Sequence, residues 1–347
     1  MADSGRPLLF HIIYTAGTVR PLLPFVDTLL RWSDCAYCLV ANGCGKEEVG
    51  LLDERCAVES RLSWRSLPFG RKVEHGQALN YLCTTSNHPY FCFMDSDILA
   101  TGNFMADLWP VLPSAAGLFS AWPVTIKAEE RILPADYPFI GGRHSITADG
   151  LCLGGSYFAI YERSALSHAL AKAPDGFNRG YWRQLPIRTR QFLRKIGQER
   201  LFYDTGRVLN LYLLGMGGEL RVQDCASLLH LGSFSIYTGG SDIRQTRPRW
   251  LQMARAAGRR VHHRINGQAY RTAILDCVAQ DPIQRSVDQR RESLAGYFAT
   301  LSGLPAKCDT GPSNPTFHNA EIDENVKRAT KVLLGLQIDR QATEKPS

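Results

Sequence analysis

Apolar residues occur along the first hundred positions in short unbroken runs, and each run stops at polar turn residues. Leu8–Tyr14 ends at Thr15-Ala16-Gly17, Ala36–Ala41 at Asn42-Gly43, and Tyr90–Met94 at Asp95. Trp64–Leu67 is a weaker run of the same kind. Runs this short, bounded by turn signals, predict buried strands. Between them, Pro21–Leu30, Glu47–Leu52 and Gln77–Leu82 read as helices. Alternating strands and helices predict an α/β fold, a mostly parallel sheet flanked by helices. Such sheets bind ligands beyond the carboxyl ends of their strands. Thr15, Asn42 and Asp95 all fall at such ends, so one edge is expected to collect the polar residues.

Past Asp97 the pattern predicts a helix near Met105–Leu108, a strand at Leu118–Trp122 and an irregular piece over 123–150. Leu153–Tyr161 again reads as strand, Arg163–Leu170 and Gly206–Leu214 as helices, and Leu220–Val222 as a short strand. Residues 179–200 read as a basic loop carrying a short helix. The organisation expected is an α/β domain over 1–238, a basic helical extension over 239–306, and a polar, mobile tail over 307–347.

The chain has 347 residues, 44% of them hydrophobic and 21% charged, the composition of an ordinary soluble globular protein. It contains no run of eighteen apolar residues and no basic, cleavable leader, so a cytoplasmic location is expected. Ten cysteines are spread along it, and the lone Cys35-x-x-Cys38 has no second pair at finger spacing, which favours small core residues over a zinc site. The net charge of +7 is local: seven arginines and no acid lie between Arg244 and Arg264. That predicts an anionic partner or a solvated face. Without a nucleic-acid motif, contact with an anionic membrane surface or self-association through these basic helices are the readings left open.

The segment Phe91-Cys92-Phe93-Met94-Asp95-Ser96-Asp97-Ile98-Leu99 sets two carboxylates one residue apart behind an apolar strand. No Lys or Arg lies within 88–106 to balance them. An uncompensated acidic pair makes a bound cation attractive. Three readings compete: a phosphatase nucleophile loop, a structural Asx turn, and a metal-binding Asp-x-Asp loop. The first normally closes the first strand of its domain, whereas this one closes the fourth.

The neighbouring motifs favour the third reading. Tyr14-Thr15-Ala16-Gly17, Val40-Ala41-Asn42-Gly43, His75-Gly76-Gln77-Ala78-Leu79-Asn80, the Asp-x-Asp, Leu153-Gly154-Gly155-Ser156 and Tyr203-Asp204-Thr205-Gly206 follow one another in the order of a known family. Over residues 8–235 the chain resembles the GT-A-fold nucleotide-sugar glycosyltransferases, in particular the large inverting family two and its relatives. The resemblance implies a divalent cation, Mn2+ or Mg2+, held by Asp95, Asp97 and His230. It implies a nucleoside-diphosphate-sugar donor on Thr15, Ala16, Gly17, Arg20, Asn42, His75, Gly76, Gln77, Asn80, Asp95 and Ser96. It places a glycan, lipid-linked or small-molecule acceptor beside Gly154, Gly155 and Ser156, with Asp204 as the base that deprotonates its hydroxyl. Nucleic acid is not expected as a partner.

Tyr203 departs from the family, which usually has Glu there. Asp204 could instead cap the helix that follows it, with Glu129, Glu130 and Asp149 as reserve bases, and inversion is not decided against retention. Two alternatives stand beside this reading. Ala16–Phe25, AGTVRPLLPF, partly matches the triphosphate loop of sugar-nucleotide pyrophosphorylases, but lacks its second glycine and its lysine. A catalytically inactive nucleotide-sugar-binding module is the other.

Overall fold

In the computed structural model, the residues described are 8–137, 145–234, 253, 281–303 and 315–343. The basic segment 244–264 and the expected boundaries at 239 and 307 lie outside them, apart from Met253.

The strands are β1 (Leu9–Thr15), β2 (Ala36–Asn42), β3 (Leu62–Ser66), β4 (Tyr90–Asp95), β5 (Ile98–Ala100), β6 (Gly117–Phe119), β7 (Ile132–Leu133) and β8 (Ile146–Thr147). They continue with β9 (Phe158–Glu162), β10 (Gly180–Tyr181), β11 (Phe202–Tyr203), β12 (Leu220–Val222) and β13 (Leu228–His230). The helices are α1 (Val19–Leu22), α2 (Phe25–Trp32), α3 (Lys46–Ala57), α4 (His75–Thr85) and α5 (Met105–Leu108). After them come α6 (Arg163–Lys172), α7 (Ile187–Lys195), α8 (Arg207–Gly215), α9 (Pro282–Leu301) and α10 (Ala320–Thr343). Seven strands form the main sheet in the order β12-β6-β9-β4-β1-β2-β3. Within this sheet β9 runs antiparallel to both its neighbours, and the other pairs are parallel. The expected α/β architecture, mostly parallel and flanked by helices, is what the chain adopts.

Side chains alternate across a strand, and both faces of this sheet are covered. Phe10, Ile12 and Tyr14 of β1, with Cys92 and Met94 of β4, pack against Val26, Leu29, Leu294, Phe298, Ile322 and Val326. Phe91 and Phe93 of β4 face the other way, onto Leu79, Leu82, Leu166, Leu209 and Leu213. Burial on both sides is why these strands read as continuous apolar runs.

The tail expected to be mobile over 307–347 contains α10, a 24-residue helix. Its Ile322, Val326, Ala329 and Leu333 are buried in the core at spacings of four, three and four. That stripe stabilises the helix by burial rather than by propensity, at roughly 1.5–3 kcal/mol for each large apolar side chain. The irregular piece after Trp122 holds a short 3-10 turn at Ala128–Arg131, which leads into β7. Pro21–Leu30 is broken into α1 and α2 around Leu23-Pro24, because proline cannot donate to the preceding turn.

Candidate metal and donor site

Two pairings bring the acidic pair and a distant histidine together. Strand β4 lies parallel to β1 with Asp95 opposite Ile13, at the carboxyl edge of the sheet. The chain turns at Ser96-Asp97 into β5, which pairs antiparallel with β13 so that Ile98 faces His230. The Leu231 N–H donates to the Asp97 carbonyl at 3.1 Å and locks that register. His230 Nε2 then lies 3.2 Å from Asp97 Oδ1 and 3.6 Å from Asp95 Oδ2. One atom from each of the three residues falls within 4.8 Å of the others. Sequence distance had hidden β13: three residues, Leu228-Leu229-His230, are too few to show a period.

The ring of His230 is held on its far side. Its Nδ1 lies 3.0 Å from the Ala121 carbonyl, so Nδ1 carries the proton and Nε2 points to the aspartates. The Val124 N–H donates to the His230 carbonyl at 2.8 Å, and the Tyr157 ring lies 5.0 Å from the imidazole. Ala121 has φ 58°, in the left-handed region where an alanine costs roughly 1–2 kcal/mol. Strain of that kind persists where neighbours over-determine it. Asp97 Oδ2 accepts from the Phe234 N–H at 3.1 Å, and the Asp95 N–H donates to the Tyr157 carbonyl at 2.7 Å. These supporting residues went unread in the sequence, because a backbone carbonyl in a loop has no composition to mark it.

The charges at this edge are coupled. Burial raises Asp95 and His230 opposes it, but repulsion from Asp97 and Asp204 leaves its carboxyl at about 8. Burial also works against the Asp97 carboxylate, yet His230 and the Phe234 N–H hold it below the usual range. His230 is raised despite its burial, because both aspartates favour its protonated form. Even so, Nε2 of this buried ring makes no aligned hydrogen bond, although Asp97 is near. Two carboxylates and an orphaned imidazole nitrogen converging on one point fit an oxygen- and nitrogen-liking divalent cation such as Mn2+ or Mg2+.

Asp204 is at the same edge. It follows β11, is half-buried, and its charge is felt by Asp95, His75 and Arg207. Its carboxylate accepts from the N–H of the next residue, Thr205, at 2.8 Å. The residue that caps α8 is Gly206, at φ 75°, with no side-chain bond, so the capping role is not the one Asp204 plays. Tyr203 is fully buried and ties Gln198 and Arg200 to the β10–β11 ribbon through its hydroxyl. His75 packs edge-on to Phe93 at 6.1 Å, and burial lowers it to about 4, so it is neutral at pH 7.

Several residues expected on the donor have other occupations. Asn42 is buried and clamps Val73, accepting from its N–H at 2.8 Å and donating to its carbonyl at 3.0 Å. A Cβ on Gly76 would meet the Phe177 carbonyl oxygen at 2.5 Å, so this glycine lets the 177–178 backbone approach α4. Asn80 accepts from the Phe177 N–H at 2.8 Å and donates to the Asp175 carbonyl at 3.3 Å. That loop in turn receives the Gly206 N–H, so Gly76 and Asn80 act on the placement of Asp204. Gln77 is exposed and Ser96 half-buried beside the aspartates.

The Thr15–Arg20 turn is closed by acids. Glu48 Oε1 accepts from Gly17 N–H at 2.8 Å and lies 3.4 Å from Val19 N–H, and Arg20 pairs with Glu47 at 2.5 Å. Ala16 is buried, and the Thr15 hydroxyl is buried without a hydrogen-bond partner among the described residues. On the acceptor side, Gly154 at φ 70° lies against the Phe119 ring and the Asn210 amide, and its carbonyl accepts from Arg207. Gly155 sits against the Tyr157 ring, and Ser156 is half-buried.

Of the reserve bases, Glu130 is buried on Arg290 at 2.5 Å, while Glu129 and Asp149 are exposed. Burial pushes up the thiols of Cys35, Cys38, Cys44 and Cys56, and no cysteine joins a metal-type cluster among the described residues. No helix there is long and apolar enough to cross a membrane.

Fold and edge cluster together define an α/β protein with a candidate divalent-cation site at the carboxyl ends of its strands. No family model matches the chain, and no curated protein matches it. Among the solved structures similar to it, one is described as a mannosyltransferase. A mannosyltransferase, PcManGT of Pyrobaculum calidifontis in complex with GDP-Man and Mn2+, is 11% identical, with a TM-score of 0.40 over 84% of this chain and 86% of that one. GalNAc-T7 with UDP, GalNAc and Mn2+ is 11% identical, with a TM-score of 0.41 over 66% of this chain and 44% of that one. TarS of S. aureus is 10% identical, with a TM-score of 0.34 over 57% of this chain and 36% of that one. The chain therefore spans less than half the length of the last two. At such identities and overlaps, similarity says nothing about what this chain's own side chains do.

Proposed function

We propose that the protein is a metal-dependent glycosyltransferase, moving a sugar from a nucleoside diphosphate to an acceptor hydroxyl. The observation that carries the reading is the convergence of Asp95, Asp97 and the unpartnered His230 Nε2, with Asp204 beside them on the same edge. In this reading Asp95, Asp97 and His230 hold a divalent cation. Bound there, the cation supplies positive charge against the diphosphate that leaves. The Thr15 hydroxyl, neutral His75, Gln77 and Ser96 line the donor side. Asp204 takes the proton of the acceptor hydroxyl as its oxygen bonds the anomeric carbon and the bond to the diphosphate oxygen breaks on the opposite face, a single displacement that inverts that carbon. The acceptor is a glycan, a lipid-linked sugar or a small molecule, reached past Gly155 and Ser156.

The pyrophosphorylase alternative is disfavoured by one contact. A triphosphate cradle needs backbone N–H groups free for oxygen, and here the Gly17 N–H is taken by the Glu48 carboxylate, with Val19 N–H close to it. The test is incubation with Mn2+ and a panel of nucleotide sugars, first without acceptor. Slow release of nucleoside diphosphate from one donor, lost in Asp97→Ala, supports the transferase. Release of nucleoside triphosphate from a sugar nucleotide and pyrophosphate would move the reading to nucleotidyl transfer. Tight donor binding with no turnover, whatever acceptor is offered, would leave a binding module.

A further inference from the structure

We propose that Arg131 is a positioning residue for the metal ligand His230, and that it makes the C-terminal helix α10 part of the site. The inference rests on the reading of Asp95, Asp97 and His230 as cation ligands. Segment 121–124 grips His230 at two points, the Ala121 carbonyl on Nδ1 and the Val124 N–H on the His230 carbonyl. Its first residue, Ala121, is left-handed without being glycine. Something must hold it there, and the next residue, Trp122, is a large buried anchor.

Trp122 is buried, and its ring lies 6.4 Å from that of Tyr157, whose ring in turn lies tilted against His230 at 5.0 Å. The Arg131 guanidinium covers the indole at 5.3 Å. A planar cation over Trp is attractive when largely buried, and Arg131 is only 19% exposed. Its two terminal nitrogens are each held by an acid: Nη1 by Asp224 and Nη2 by Glu321 at 2.9 Å. Asp224 lies four residues ahead of the strand that carries His230, and Glu321 is in the first turn of α10. One guanidinium thus joins three pieces of chain: the strained segment, the approach to β13, and a helix ninety residues further on. Groups that orient a metal-bound histidine from behind typically change metal affinity by about 10–100-fold when removed. Arg131 acts one step further out, through Trp122 and the Ala121 carbonyl.

The experiment is a Mn2+ titration of the full chain, reading free Mn2+ by electron paramagnetic resonance at a temperature where every variant is folded by circular dichroism. Arg131→Met removes the charge and keeps the length. Its Mn2+ dissociation constant is expected to rise on the order of tenfold, with Arg131→Lys in between. The double variant Asp224→Asn/Glu321→Gln changes two half-exposed side chains and leaves the core intact. It is expected to weaken Mn2+ several-fold, and it decides the matter if Arg131→Met does not fold. A merely structural role would lower the melting temperature and leave the dissociation constant within twofold, and that result overturns the inference. Wild-type protein that takes up no Mn2+ would overturn the metal site itself.

Discussion

His230 Nε2 stands 3.2 Å from Asp97 Oδ1, although the two residues are 133 positions apart, and the contact is not aligned as a hydrogen bond. The atoms attract but do not satisfy one another. Asp97 already spends its second oxygen on the Phe234 N–H, and the His230 proton faces the Ala121 carbonyl. A buried imidazole nitrogen and a carboxylate oxygen that face each other without an aligned hydrogen bond are the arrangement a cation completes by displacing the ring's second proton.

The first prediction follows from that geometry. Asp97→Ala should abolish metal-dependent donor turnover while the far-UV spectrum stays that of the wild type, and a chelator should do the same to the native chain. Turnover in Asp97→Ala within a fewfold of wild type would remove Asp97 from the site.

Asp204 has a separate consequence. Its carboxylate caps no helix, but its charge reaches the buried Arg207, so replacing it should cost far more in chemistry than in stability. Asp204→Asn, which keeps an acceptor for the Thr205 N–H, is expected to lower turnover by more than about a hundredfold, the usual worth of a general base, with only a small drop in the urea midpoint. Equal rates, or a shifted midpoint with equal rates, would return Asp204 to a structural part.

The sheet and the acidic turn were legible because each depends on local sequence: unbroken apolar runs ending in Thr15, Asn42 and Asp95. His230 was legible only through family resemblance, since the pairing of β5 with β13 that delivers it spans more than a hundred residues. Asn42, Gly76 and Asn80 show the converse. Their motif was visible, but what they touch was not: Asn42 clamps Val73, and the other two meet the 175–178 loop. Helix α10 was missed although its stripe was present, because four apolar positions among many charges resemble a solvated segment.

The Gly76 contact gives the third prediction. Gly76→Ala puts a methyl 2.5 Å from the Phe177 carbonyl oxygen, and neither backbone can yield cheaply. Overpacking of this kind costs roughly 1–3 kcal/mol, read as a lower urea midpoint. Turnover should fall too, because the same loop holds Gly206 beside Asp204. A variant as stable as wild type would show that the loop moves freely.

The Glu130–Arg290 pair gives the fourth. Both side chains are less than a tenth exposed and meet at 2.5 Å, joining the 128–131 turn to α9. Removing one partner strands a buried charge, which typically costs about 3–5 kcal/mol, whereas replacing both by apolar groups is often near neutral. Arg290→Met should therefore destabilise strongly, and Glu130→Met/Arg290→Met should recover most of the loss. A double variant no better than the single one would mean that the cost lies in packing.

The last prediction concerns acid. His11 is buried in β1, its Nδ1 donates to the Cys92 carbonyl at 3.0 Å, and its ring lies 5.5 Å from that of Phe91. Burial lowers it from 6.5 to about 4, and the positive charges of Arg65 and His88 act in the same direction against the opposing Cys92 bond. The unfolded chain therefore takes up a proton below about pH 6.5 that the native chain refuses until about pH 4. Stability falls as pH drops through that window and the contribution levels off below it. His11→Asn keeps a donor for the Cys92 carbonyl and removes the titration. Between about pH 7 and pH 5 the wild type should lose about 2 kcal/mol more than this variant, from urea unfolding at each pH. Parallel losses in the two proteins would mean that His11 is protonated in the fold.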